Sequence, residues 1–160
     1  MERIYAPWRG EYVTSRESPP GCVLCRALEA AAAERSLVVH VAPLSFVVMN
    51  LYPYASGHVM IAPRRHVPGL AAATPAELAE VMALAQRMEG VLAQAYQPDG
   101  VNLGMNLGRP AGAGVPDHIH LHVVPRWIGD TNFMTVVGDT RVIHEDPVAA
   151  CARLRTYFTG

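Results

Sequence analysis

Three histidines alternate with apolar residues in His118-Ile119-His120-Leu121-His122, and Val123 and Val124 continue the apolar backing. On a strand, alternate side chains share a face, so the three imidazoles should line up about 6.5 Å apart. Packing alone gives no reason for such a row, because each polar ring needs a partner wherever it is buried. Two chemistries suit it. Alternating imidazoles can ligate a catalytic metal, zinc above all. Alternatively one ring is a nucleophile: imidazole has a reference pKa of about 6.5 and can attack phosphorus and later depart. Gly108, Gly112 and Gly114 lie just upstream. Glycines let backbone amides approach a phosphate, which favours the nucleophile.

A second constellation is Cys22-Val23-Leu24-Cys25. Its spacing is that of half a zinc site, and two further ligands are required. The bland alternative is a pair of small apolar residues at a helix start, with His66 solvated. Cys151 reads as a core residue.

The elements that must position these groups follow from pattern. Val23 to Arg35 is rich in alanine and leucine and predicts a helix. Leu37–Val41, Phe46–Leu51 and His58–Pro63 are rich in β-formers, and Tyr52 to Gly57 breaks the second from the third. Thr74-Pro75-Ala76-Glu77 is a helix start with a capping box and proline at the first helical position. Leu78, Val81, Met82, Ala85, Met88, Leu92 and Ala95 follow helical spacing, and Pro98 and Gly100 close the element. Strands are expected over Val101–Asn106 and Ile119–Pro125, with a short helix after Pro147. Together these predict an α+β domain built on an antiparallel sheet.

The bulk numbers bound the function. With 160 residues, 51% hydrophobic and 17% charged, the chain suits one globular domain over 1–160. A formal net charge of -1 offers no basic field for nucleic acid. The apolar runs are short for a membrane span, Met1 to Thr14 lacks a signal-peptide pattern, and three cysteines do not suggest a disulfide framework. A cytoplasmic protein is expected.

His118 to Val124 resembles in full the signature of the histidine-triad nucleotide hydrolases and transferases. The similarity extends to Asn50-Leu-Tyr-Pro, to Gly57-His58 leading into Pro63-Arg-Arg-His66, and to Asn106-Leu-Gly108. Pro7-Trp8-Arg9, Asn50 to Tyr54 and Pro125 to Met134 look most like the bacterial diadenosine tetraphosphate phosphorylases of that family. The resemblance implies a histidine-triad fold, with about five antiparallel strands, one long helix and short terminal helices, in a homodimer. It makes His120 the nucleophile, places His122 on the α-phosphate, and gives His118 a supporting role through hydrogen bonds or a metal. Asn50 falls where the family commonly binds ribose with aspartate. Asn106, Gly112 and Gly114 would lie near the phosphates. In some members a comparable CxxC pair binds structural zinc with two histidines, which map onto His66 and His118. No organic cofactor is implied. Four residues before the triad many members carry glutamine or serine, where this chain has Gly114.

The implied reaction is nucleotidyl transfer from adenosine dinucleoside polyphosphates to water or orthophosphate. A phosphoramidase of the same family and a silent nucleotide-binding protein are the alternatives. Of the remaining residues, His58 is expected to begin a strand, in a structural role rather than in contact with substrate, the alternative open to it. His40 and His144 are read as structural or solvated, and Trp8 and Trp127 as packing residues, with stacking on a base the alternative for either. Arg64 and Arg65 either attract a polyphosphate or are simply exposed. Asp130, Asn132 and Phe133 shape the pocket or a turn, and Met82 and Met88 belong to the core face of the long helix. Replacing His120 with alanine is expected to abolish turnover while leaving the circular-dichroism spectrum and melting curve intact. Activity surviving in that variant would remove His120 as the nucleophile.

Overall fold

The computed structural model describes residues 21–130 and 145–158. The readings on Trp8, Asn132, Phe133, His144 and the segment around Pro7 fall outside them. Five strands form one antiparallel sheet: β1 (Val38–Val41), β2 (Ser45–Met49), β3 (Val59–Pro63), β4 (Gly100–Gly104) and β5 (Leu121–Arg126), in the order β1-β2-β3-β5-β4. Helix α1 (Val23–Glu29) precedes the sheet, α2 (Pro75–Tyr96) crosses between β3 and β4, and α3 (Pro147–Phe158) follows. The α+β class and five-stranded sheet agree with the sequence reading.

Helix α2 starts as its sequence dictates. The Thr74 hydroxyl accepts from the Glu77 amide at 3.2 Å, the Glu77 carboxylate accepts from the Thr74 amide at 2.7 Å, and Pro75 leads the first turn. Arg65 closes on the same carboxylate through two bonds of 3.0 and 2.8 Å, and with the Thr74 amide it holds Glu77 down to about pKa 2. Val81, Leu84, Ala85, Met88, Val91 and Leu92 supply the buried face. Met82 does not belong to it: one position past Val81, it is 54% exposed.

The sheet has two unequal sides. One carries the main core, where Val39, Val47, Met49, Val59, Ile61, Leu121 and Val123 pack with α2 and α3. The other carries a smaller cluster of Val38, Phe46, Val48 and Ala62 with Leu24 from α1, against which Val115 packs. Because Leu121 and Val123 face the main core, strand alternation sends His122 to the smaller side.

Helix α1 ends at Glu29, short of the predicted Arg35, and the chain continues in turns closed by Ala33 N to Ala30 O and Ser36 N to Ala33 O. Alanine propensity does not sustain a helix once its apolar face stops meeting a core. Helix α3 opens on Asp146, whose Oδ1 accepts from Val148 and Ala149. It is strapped down by Arg155, which donates to the Ser36 and Val38 carbonyls.

Gly57, just before β3, has φ +78°, and a Cβ there would meet Tyr96 Cε2 at 2.9 Å and Leu92 Cδ2 at 3.3 Å. Gly57→Ala is therefore expected to destabilise the fold by about 1–3 kcal/mol. Gly90, inside α2 with nothing within 4 Å of an added Cβ, should respond oppositely, gaining about 0.5–1 kcal/mol as alanine. Urea unfolding of the two variants reads both signs, and equal effects would contradict this assignment of the two backbones.

Candidate active site and adjoining thiol-imidazole cluster

Strand β5 begins at Leu121, so only His122 of the three histidines lies within it. His118 and His120 sit on the approach, where the Ile119 amide donates to Val67 O at 2.8 Å. That early departure from strand geometry divides the triad. The rings of His120 and His122 stay together, with centroids 4.9 Å apart, whereas the His118 ring lies 4.9 Å from that of His66. The expected single row of three is thus a pair plus one ring turned to other partners.

Hydrogen bonds fix the protons of the pair. His120 Nδ1 lies 2.9 Å from the carbonyl of His118, so it carries hydrogen and donates, which leaves the lone pair on Nε2. For His122 the determinant is His58, wholly buried just before β3. The Tyr54 amide donates to His58 Nδ1 at 3.0 Å. His58 must then carry its proton on Nε2, which lies 3.0 Å from His122 Nδ1. His122 accepts there and keeps its own proton on Nε2. Burial, and then the neighbouring His120, lower the pKa of His122 to about 4, so the ring is neutral near pH 7. The pair therefore offers one imidazole lone pair beside one imidazole N–H, a nucleophile next to a hydrogen-bond donor.

The sequence reading weighed a structural role for His58 against substrate contact and favoured the first, and it left Tyr54 unassigned. The Tyr54 ring covers this arrangement, 4.7 Å from the His58 centroid and 5.9 Å from that of His122. The available signal was a histidine after a glycine at the head of an apolar strand. What reveals the link is the pairing of β3 with β5, Met60 opposite His122, which sequence spacing does not encode.

Asn50 lies in the same neighbourhood. Its Oδ1 accepts from the Tyr52 amide at 2.9 Å and its Nδ2 lies 3.3 Å from His58 Nδ1, which leaves one N–H and one lone pair for a ligand. Asn106 braces the glycine-rich turn, donating to Gly112 O at 3.4 Å. Gly108 and Gly112 have φ of +83° and +89°, conformations that favour glycine. Gly114 is exposed in the following turn. Arg64 and Arg65 are engaged in the fold, the first with Pro43 O and the second with Glu77 and Ala72 O. Asp130 accepts two bonds from Arg126 and shapes the turn after β5. His40 stacks on Phe158 at 4.3 Å, away from the triad.

The cysteine pair meets the remaining histidines. Ligand atoms of Cys22, Cys25, His66 and His118 all lie within 4.8 Å of one another. His118 Nδ1 is 3.3 Å from Cys22 Sγ and 3.6 Å from Cys25 Sγ, and His66 Nδ1 is 3.4 Å from Cys25 Sγ. A tetrahedral zinc site of two thiolates and two imidazoles has edges of about 3.3–3.8 Å. The tautomer fits as well: His118 Nε2 donates to Pro63 O at 2.8 Å, which aims the Nδ1 lone pair at the sulfurs. These four residues have the donor set and spacing, and His118 the tautomer, to hold a metal.

The HIT domain family profile matches residues 32–127. An AP-4-A phosphorylase of Mycobacterium tuberculosis is 39% identical over 152 residues, covering 89% of this chain and 77% of that protein. A bis(5'-adenosyl)-triphosphatase of Dictyostelium discoideum is 36% identical over 83 residues, 52% of this chain and 55% of that one. Among solved structures, a Zn-bound histidine triad family protein from Mycobacterium smegmatis superposes with a TM-score of 0.71 at 27% identity, covering 87% of this chain and 94% of that one. By its sequence, its sheet and its paired histidines, the chain belongs to the histidine-triad, or HIT domain, family.

Proposed function

We propose that this chain is a histidine-triad nucleotidyltransferase that cleaves dinucleoside polyphosphates, diadenosine tetraphosphate foremost, through a covalent intermediate on His120. The observation that carries the reading is the bond from His120 Nδ1 to the His118 carbonyl, which frees Nε2 for attack. Its substrate class rests on the similarity to the AP-4-A phosphorylase over most of the chain.

In the first step the Nε2 lone pair forms a bond to the α-phosphorus, and the bond from that phosphorus to the bridging oxygen breaks. A nucleoside polyphosphate leaves and the adenylyl group stays on His120. His122, kept neutral by burial with its proton on Nε2, donates to a phosphate oxygen as charge builds there. In the second step orthophosphate takes the adenylyl group to give ADP, or water takes it to give AMP. Asn50 has donor and acceptor capacity left for a ribose hydroxyl, and the glycine turn braced by Asn106 presents backbone amides to the phosphates. With Gly114 in place of a polar side chain, those amides are the available donors on that side.

Cys22, Cys25, His66 and His118 would hold zinc as a structural ion, tying α1 to the approach of β5. Bound there, it serves as a cross-link, with His120 and His122 outside its ligand set. A homodimer joined through β4 suits an edge strand that pairs only with β5 among the described residues and exposes Leu103 by 50%.

Incubation with diadenosine tetraphosphate, with and without orthophosphate, tests the reaction. ADP plus ATP formed only with orthophosphate is expected; AMP plus ATP without it would make the chain a hydrolase, and no turnover would refute the substrate. A second expectation concerns acid. Between pH 6.5 and about 4 the unfolded chain binds a proton at His122 that the folded chain excludes, so stability should fall as pH falls through that window. His122→Asn should flatten this part of the stability-pH curve measured by urea unfolding. An unchanged slope would mean that His122 titrates normally.

A further inference from the structure

His118 belongs to both constellations at once. Its ring nitrogen Nδ1 faces Cys22 and Cys25, while its backbone carbonyl holds the proton on His120 Nδ1. Its remaining nitrogen is fixed on Pro63 O, and the ring is wholly buried. Whatever happens at the two sulfurs is thus transmitted through one residue to the nitrogen that must stay free for attack.

The sulfurs themselves are accessible. Cys22 and Cys25 are half-buried and His66 is exposed, so the cluster opens to solvent on one side. Cys22 precedes α1 and Cys25 lies in its first turn, three residues apart. That spacing brings Cβ atoms to about 5–6 Å in a helix, and modest relaxation of the terminal turn reaches disulfide geometry. Cys151 cannot compete, being a buried residue of α3 on the opposite side of the sheet.

We propose that Cys22 and Cys25 form a peroxide-oxidisable dithiol that switches the nucleotidyl-transfer site off by releasing His118. The proposal rests on the zinc and His120 readings above. Hydrogen peroxide is the oxidant. One zinc-bound thiolate attacks a peroxide oxygen, the O–O bond breaks, and a sulfenic acid forms with release of water after proton uptake. The second thiolate attacks the sulfenic sulfur, the S–O bond breaks, and the oxygen leaves as a second water. Two thiolates, one peroxide and two protons thus give one disulfide and two waters, with two electrons passing from sulfur to oxygen. Zinc, deprived of both thiolates, departs with His66 and His118 freed. The loop before β5 loses its tie to α1, and the carbonyl that orders His120 keeps only the bonds to Pro63 O and Val67 O on either side of it, which hold it less firmly. The cysteines act as positioning residues, through His118, and touch no substrate.

The test uses the full chain, reduced, loaded with zinc and turning over diadenosine tetraphosphate. Peroxide is added while zinc release is followed with a chromogenic chelator, disulfide by mass spectrometry of peptides, and the His120 ring nitrogens by ¹⁵N NMR. The expected result is one zinc released and one Cys22–Cys25 disulfide formed per chain. kcat should fall at least tenfold in step with zinc loss, the His120 Nδ1–H signal should broaden or shift, and dithiothreitol with zinc should restore all three. Cys151→Ala should respond as the parent does. Cys25→Asp keeps a zinc ligand but cannot form the disulfide, so whatever activity it has should withstand peroxide. Zinc loss with unchanged kcat and an unchanged His120 signal would overturn the proposal, as would activity lost while zinc is retained. A reduced chain that binds no zinc, or does not turn over, overturns the earlier reading and this one with it; failure only after peroxide overturns this one alone.

Discussion

An imidazole is a useful nucleophile only if the nitrogen facing its target carries a lone pair, and in this chain that condition rests on one hydrogen bond from a side chain to the backbone two residues earlier. The carbonyl of His118 takes the proton of His120 Nδ1 at 2.9 Å. A carbonyl can only accept, so the tautomer is dictated. The rest of the site is arranged to keep that carbonyl still. Val67 O receives the next amide and Pro63 O receives the His118 ring, the first from the segment that follows β3 and the second from the last residue of β3 itself.

The same logic governs His122 one step further out. A backbone amide of Tyr54 orients His58, and His58 orients His122, so each proton position is inherited from a group that has no choice. A neutral ring avoids the penalty of charge in a low-dielectric setting, and His58 and His122 satisfy one another there. The sheet makes room for this by concentrating its apolar packing on the side of α2 and α3, leaving the other side for polar work.

Much of this was legible in the sequence because the signals were local. The capping box at Thr74, the helical spacing that follows, and the alternation of apolar residues in β5 are all fixed by nearest neighbours, and the structure carries each of them. The Cys22–Cys25 half of the thiol-imidazole cluster was legible from its spacing, but its completion by His66 and His118 only through resemblance, since 96 residues separate Cys22 from His118. What escaped was non-local or depended on where a regular element stops. The stop of α1 at Glu29, the start of β5 at Leu121 and the turning of His118 toward α1 are decided by tertiary contacts that outweigh local propensity. His58 escaped because its meaning comes from the strand lying beside it, and Met82 because one residue of helical phase separates core from solvent.

The unequal sides of the sheet also set a gradient of local stability. Helices α2 and α3 share one continuous core with the sheet and are further tied by Arg155, and by Arg87, which lies over the Phe158 ring at 4.1 Å. Helix α1 has seven residues, a single fully buried side chain in Leu24, and a small satellite cluster beneath it. Opening α1 exposes little apolar surface, so without a metal cross-link it is expected to detach at a fraction of the free energy of global unfolding. Amides of α1 and of the approach to β5 then exchange with solvent through a partial opening, while those of α2 and the central strands wait for the whole molecule. The fold thereby sets its paired histidines at the boundary between a firm scaffold and a loosely held cover.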